Sequence, residues 1–122
     1  MGEPTTADVP ERPLIPQPPA TVAALRQAVG KIMPASLPVF TKDLDEALEQ
    51  ACQETAFGPL WSFTTRWSIH VQIERHPRVA ARFRELEDLV VELDDREQIR
   101  EAISELGRIL DDAHEAIGYG RR

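Results

Sequence analysis

The sequence predicts an all-α protein, a small helical bundle of about five helices with a disordered Pro-rich N-terminal arm and a C-terminal helical hairpin. Three observations support this prediction. After residue 20, apolar residues recur at the spacings of three and four that are typical of amphipathic helices. Proline, glycine and capping residues separate these segments, as at helix ends. Only residues 67–73 also alternate like a strand, and no second alternating run exists to pair with them.

The arm is predicted over residues 1–20, which hold six of the ten prolines in the chain. Such a segment cannot bury enough apolar surface to offset the entropy lost on ordering. We therefore expect a disordered spacer, with a helical domain over residues 21–117 and a flexible tail over residues 118–122.

Two helices are predicted at the start of the domain. The first begins after Thr21, a good N-cap, and is expected to end at Gly30. The second begins after Ser36, has a proline in its first turn and runs to about Thr55. The Gly58–Pro59 pair then breaks the chain before the next segment.

The stretch RWSIHVQIERH, residues 66–76, can be interpreted in two ways. As a strand it would lack a hydrogen-bonded neighbour. As a helix, Phe63 and Trp67 share one face, while Ile69 and Ile73 lie roughly opposite. A helix that is apolar on two sides belongs at the centre of a bundle, so we favour a helix, which His76–Pro77 ends or kinks.

Two heptad seams follow, over residues 79–93 and 99–117, and they are out of phase. The chain must therefore turn or slip near Asp94–Asp95, where Asp95 with Gln98, or Asp94 with Glu97, resembles a capping box. This pattern favours a hairpin over the alternative of one kinked helix. The predicted core residues are Phe40, Leu44, Leu48, Phe63, Trp67, Phe83, Leu86, Leu106 and Leu110.

Composition limits the functional classes. No apolar run approaches the roughly 20 residues that span a bilayer, and the first residues lack the pattern of a signal peptide. We therefore expect no membrane contact. The single cysteine, Cys52, excludes an intramolecular disulfide and fits a reducing compartment, so we expect a cytoplasmic protein. A net charge of −7 argues against general nucleic-acid binding, because phosphates repel such a field.

The charge is unevenly distributed. Residues 60–84 carry five arginines against one glutamate, whereas residues 85–117 carry twelve acidic residues against three arginines. The arginines could serve a nucleic acid, but we favour ion pairs within the fold or contacts with a protein partner. The acidic residues could also form only a solvated face. The candidate partner-binding residues are Arg75, Arg78, Arg82, Glu101, Glu105 and Asp112.

No pattern indicates catalysis, a metal or a cofactor. His70 and Glu74 lie one helical turn apart, which we interpret as a polar pair on a helix surface. The run DDAHE near the C-terminus holds groups that bind metals, but a bundle metal centre needs further ligands from other helices. We expect an inert, part-buried thiol at Cys52. Nucleophile elbows, phosphate loops and zinc patterns do not occur in the sequence, so we expect a non-enzymatic protein.

The segments PPATVAALRQAV, PVFTKDLDEALEQA and LWSFTTRWSI, within residues 18–77, resemble a family of small actinobacterial proteins that carries a domain-of-unknown-function label. In that family a Pro-rich arm precedes a short helix, an Ala-Leu helix that begins near a Phe, and a helix with tryptophan. Phe40, Ala47–Leu48 and Trp67 match those places. The resemblance implies an antitoxin-like or regulatory role, because members are sometimes encoded beside small ribonuclease-like toxins. The acidic hairpin after Pro77 departs from the pattern.

Together these observations predict a protein–protein interaction module, antitoxin-like or regulatory, that binds a basic, toxin-like protein partner. Electrostatic steering by the acidic hairpin would speed that encounter. Two alternatives remain: a nucleic-acid-binding regulator that uses the stretch Arg66–Arg84, and a self-associating structural protein that forms a homodimer.

Overall fold

The computed structural model describes residues 12–118, and within them the chain forms five α-helices and no strand. In chain order the helices are α1 (Val22–Ile32), α2 (Leu37–Glu54), α3 (Gly58–Glu74), α4 (Pro77–Glu92) and α5 (Arg96–Ile117). A 3₁₀ turn, Pro34–Ser36, joins α1 to α2. The predicted all-α bundle of about five helices is confirmed.

Helix α3 lies at the centre of the bundle and contacts the other four helices. One of its faces places Phe63, Trp67 and Val71 in a core shared with α1 and α2. The opposite face places Ile69 and Ile73 against α4 and α5. The helical interpretation of residues 67–73 is therefore confirmed, and the strand-like alternation arises from two buried faces.

Three aromatic rings form the middle of the larger core. The ring of Phe40 lies edge-to-face against Phe63 at 5.0 Å and against Trp67 at 5.1 Å between centroids. Trp67 is 4% exposed, and its Nε1 donates a hydrogen bond to Asp43 Oδ2 at 3.2 Å. Since the polar atom of the indole is satisfied, the ring is buried without a desolvation penalty at its nitrogen.

Two of the predicted N-caps form as expected. The Thr21 hydroxyl accepts from the Ala24 amide at 3.2 Å, and the Asp95 carboxylate accepts from the Gln98 amide at 3.0 Å. Asp95 closes the three-residue connection between α4 and α5, which pack against each other. The hairpin is thus confirmed, and the alternative of one kinked helix is wrong.

Two helix-end predictions are corrected. Helix α1 does not end at Gly30 but continues to Ile32, because Gly30 keeps a negative φ and the buried Met33 donates its amide to the Val29 carbonyl. Ser36 precedes α2 as predicted, but its side chain makes no capping bond. It belongs to the 3₁₀ turn and has helical dihedral angles, whereas a capping side chain requires an extended residue.

The core prediction is only partly correct. Buried as expected are Phe40, Leu44, Phe63, Trp67 and Leu86, whereas Phe83 and Leu106 are only partly buried. The prediction is wrong for Leu48 and Leu110, which are 43% and 36% exposed. In α5 the buried positions are Ala102 and Ala113, small residues that allow close packing, and Leu110 lies at the edge of that face.

The described part of the proline-rich arm contacts α3. The Leu14 amide donates to the Arg75 carbonyl at 2.8 Å, and Gln17 Nε2 donates to the Ser68 carbonyl at 3.1 Å. Ile15 packs against the larger core. The packed chain therefore begins before Thr21, which the sequence did not indicate. Residues 1–11 of the predicted arm, and 119–122 of the predicted tail, lie outside the described residues.

We expect Thr55→Gly to stabilise the protein. Thr55 ends α2 in the left-handed conformation, with φ 51° and ψ 51°, where its branched Cβ is crowded and glycine is not. Relief of this strain should raise the free energy of unfolding by about 1 kcal/mol. Urea unfolding measures the change, with Thr55→Ala, which keeps a Cβ, as the control. A glycine variant no more stable than the alanine variant would contradict this interpretation.

Candidate functional site

The three arginines predicted to bind a partner, Arg75, Arg78 and Arg82, are partly engaged in contacts inside the domain. Arg75 is part-buried, and its Nε donates to the Ile15 carbonyl at 2.9 Å, which holds the arm on α3. Arg82 donates from Nε and Nη2 to the two carboxylate oxygens of Glu105 at 2.8 Å each. Arg78 lies exposed in the first turn of α4. The interpretation of these arginines as internal ion-pair partners is therefore correct for Arg82.

The three acidic candidates lie on α5 in different surroundings. Glu105 pairs with Arg82. The hydrogen bonds between the two side chains are the largest cause of both pKa shifts: the pKa of Glu105 is lowered and the pKa of Arg82 is raised. Glu101 is exposed. Asp112 borders a cleft of about 290 Å³ between α3, α4 and α5, beside His76. Because the ion pair of Arg82 and Glu105 joins α4 to α5, both residues contribute to the packing of the hairpin as well as to its surface charge.

His70 and Glu74 form the expected polar pair, at 3.9 Å between Nε2 and Oε2. Arg84 contacts the same carboxylate at 3.1 Å, so Glu74 already has a cationic partner. The His70 ring lies 5.1 Å from the ring of Trp67. Partial burial lowers the pKa of His70, whose side chain remains 45% exposed, and the carboxylates of Glu74 and Glu87 oppose that shift. This arrangement is typical of a structural polar pair.

We expect the stability of the protein to fall as the pH drops through about 6.5, and to fall less in His70→Gln. The folded protein binds a proton at His70 less tightly than the unfolded chain does, so protons favour unfolding. Urea unfolding at about pH 7.5 and about pH 5.5 compares the two proteins. Equal losses in both would show that His70 does not cause the pH dependence.

Among residues 12–118 no group of three or more histidine, cysteine, aspartate or glutamate side chains is arranged to hold a metal ion. In the run DDAHE, His114 Nδ1 lies 3.0 Å from the Leu110 carbonyl of its own helix. Cys52 is an exposed free thiol, so the expectation of a part-buried thiol is wrong. None of the described helices has the length and apolar content needed to cross a membrane.

The most unusual surface lies where α2 turns into α3, and the sequence reasoning missed it. Phe57 is 85% exposed and Trp61 is 60% exposed, and Leu48 lies nearby in α2. We call this surface, with Leu60, the α2–α3 corner. Phe57, Leu48 and Leu60 line an apolar cleft of about 430 Å³. Large apolar side chains exposed together are characteristic of interaction sites.

An acidic groove of about 430 Å³ lies on the other side of α2. It is lined by the carboxylates of Asp43, Glu46 and Glu54, and by Trp61. Arg66 also borders the groove and lies 3.9 Å from Asp43. Three carboxylates against one guanidinium leave the groove with negative charge.

Helical spacing explains why the two depressions lie so close together. Residues of α2 such as Leu44 and Ala47 point into the core. Asp43 and Glu46 fall on one side of this buried line, and Leu48 falls on the other side. Helix α2 therefore presents negative charge on one flank and apolar surface on the other.

A sequence signal for the corner exists, although it is weak. Phe57 and Trp61 are four residues apart around Gly58–Pro59, so they lie on one side of the first turn of α3. Trp61 does not fall on the line of Phe63 and Trp67, which the helical pattern assigns to the core. An aromatic residue off the buried line, next to a chain break, is the feature that indicates exposure.

Comparisons of the chain with protein-family models, with curated proteins and with solved structures found no match. The functional interpretation therefore depends on the surface itself.

Proposed function

We propose that the protein is a non-enzymatic protein–protein interaction module, and that its α2–α3 corner binds a basic segment of a protein partner. The observation that carries this proposal is the exposure of Phe57 and Trp61 between an apolar cleft and an acidic groove. A segment that places an apolar side chain in the cleft and an arginine or lysine in the groove fits both surfaces.

The energetics favour a protein partner. Aromatic side chains bury about 150–250 Å² each when they are covered, and tryptophan is among the residues that dominate interface energies. Trp61 can also offer its ring face to a cation that pairs with the carboxylates of Glu46 or Glu54. The net charge of −7 adds steering toward a basic surface.

The same surface would suit an antitoxin-like or regulatory role. A basic, toxin-like protein covered by this surface would be neutralised by binding, without chemistry. The alternative of a nucleic-acid-binding regulator that uses Arg66–Arg84 has less support, because Arg75 and Arg82 are held by contacts inside the domain. Phosphates would also be repelled by the acidic groove beside Arg66.

Selection from a random peptide library on the immobilised full chain tests the proposal. We expect enriched peptides to combine arginine or lysine with one large apolar residue, and to bind more weakly at about 0.5 M salt than at about 0.15 M. The double variant Phe57→Ser/Trp61→Ser is the counter-selection control, since both side chains are exposed. Enrichment of peptides without basic residues, or equal binding to the variant, would contradict the proposal.

A further inference from the structure

We propose that α5 packs antiparallel against α5 of a second copy of the chain, with the two helices closest at Gly107. The first observation is a stripe on α5 outside the face that packs on α3 and α4. Ile103 is 52% exposed and Leu110 is partly exposed, and Gly107 and His114 continue the line at spacings of four and three. The stripe runs through the middle of α5, the longest of the described helices.

Gly107 is the second observation. It lies inside α5, where glycine is among the least favourable residues, and it has no positive φ that would require glycine. A Cβ built on Gly107 would meet no atom within 4 Å, so packing inside the domain does not require a glycine there either. A missing side chain at the centre of an apolar stripe allows the backbone of another helix to approach closely.

Charge complementarity identifies the occupant as a second copy. Arg100 and Asp111 lie on the same flank of the stripe, about seven residues before and four residues after Gly107. A twofold axis near Gly107 places Arg100 of each copy beside Asp111 of the other copy, and Ile103 beside Leu110. Such an isologous contact uses one surface twice, and the two ion pairs fix the antiparallel direction. In parallel packing the same flank of the two copies lies on opposite edges of the contact, so Arg100 and Asp111 could not pair.

Sedimentation velocity of the full chain over a range of concentrations tests the proposal. We expect a monomer–dimer equilibrium, and Gly107→Ala should raise the dissociation constant at least about tenfold, because the added methyl groups separate the helices. The same change should raise the midpoint of thermal unfolding of the monomer, since alanine is the better helix residue. A chain that stays monomeric up to about 1 mM, or a dimer that Gly107→Ala does not weaken, overturns the proposal.

A charge exchange tests the direction of packing. Arg100→Asp and Asp111→Arg should each weaken the dimer about tenfold or more, whereas the double variant should restore it. Both residues are exposed, and circular dichroism checks that each variant folds. Failure of the double variant to restore dimerisation overturns the antiparallel arrangement. Phe57→Ser/Trp61→Ser should leave the dimer intact, and loss of the dimer in that variant would place the second copy at the α2–α3 corner instead.

Discussion

Replacing Trp67 by alanine should lower the free energy of unfolding by about 3–5 kcal/mol. The indole is 4% exposed and packs against Phe40 and Phe63, so its removal leaves a cavity among residues that close packing holds in place. The change also removes the donor to Asp43. Since small domains are stable by only about 5–15 kcal/mol, the variant should unfold at a much lower urea concentration.

The matched control is Trp61→Ala, in the same helix. Trp61 is 60% exposed, so its truncation should change the free energy of unfolding by no more than about 1 kcal/mol. The two substitutions, six residues apart in one helix, thus compare the loss of a buried tryptophan with the loss of an exposed one. A loss below about 1 kcal/mol for Trp67→Ala would contradict the central position of α3 and would make Trp67 a surface recognition residue.

The second large effect is expected in binding. Trp61→Ala should weaken binding of a selected basic peptide by at least about 2 kcal/mol, which is roughly thirtyfold in the dissociation constant. Isothermal titration measures this change at constant salt. Trp61→Phe keeps an aromatic ring and should retain most of the affinity, because the apolar contact and the face of the ring remain.

Charge changes locate the basic side chain of the ligand. Glu46→Gln removes a carboxylate from the acidic groove, and Glu101→Gln removes one from the exposed surface of α5. We expect only the first to weaken peptide binding appreciably, since long-range attraction is screened at physiological salt. Equal losses in both variants would indicate attraction to the net charge without a specific groove.

Much of the fold was predictable because local and tertiary signals agree. Thr21 and Asp95 cap helices whose apolar faces then find partners, and Pro77 separates α3 from α4. The two apolar faces of α3 predicted its central position. Such agreement between local sequence signals and tertiary packing is typical of natural sequences.

The errors have physical causes that a single sequence does not display. Leu110 was placed in the core because a heptad seam does not show which edge of a helix meets its neighbours, and Ala102 and Ala113 make the close contacts instead. Residues 12–20 of the predicted arm looked disordered by composition, yet the Arg75 guanidinium donates to the Ile15 carbonyl and holds this part of the arm on α3. That contact joins residues sixty positions apart, and no local pattern encodes it.

The α2–α3 corner was harder to predict for the same reason. Phe57 and Trp61 are apolar, and exposure of an apolar side chain depends on where the neighbouring helices end. In the sequence, the acidic residues of α2 lie off its apolar stripe and indicate only the polar face of an amphipathic helix. Their position beside Trp61 becomes apparent only when α2 and α3 are packed together.

A titration of the ¹⁵N-labelled full chain with a selected basic peptide, followed by NMR, tests the central claim most directly. The two tryptophans give two indole signals, so Trp61 reports on the corner and Trp67 on the core. We expect the largest shifts at the Trp61 indole and at the amides of Phe57 and Leu48, with the amides of Glu101 and Asp112 unchanged. Shifts concentrated on α5, with an unmoved Trp61 indole, would contradict the assignment of the corner as the binding surface.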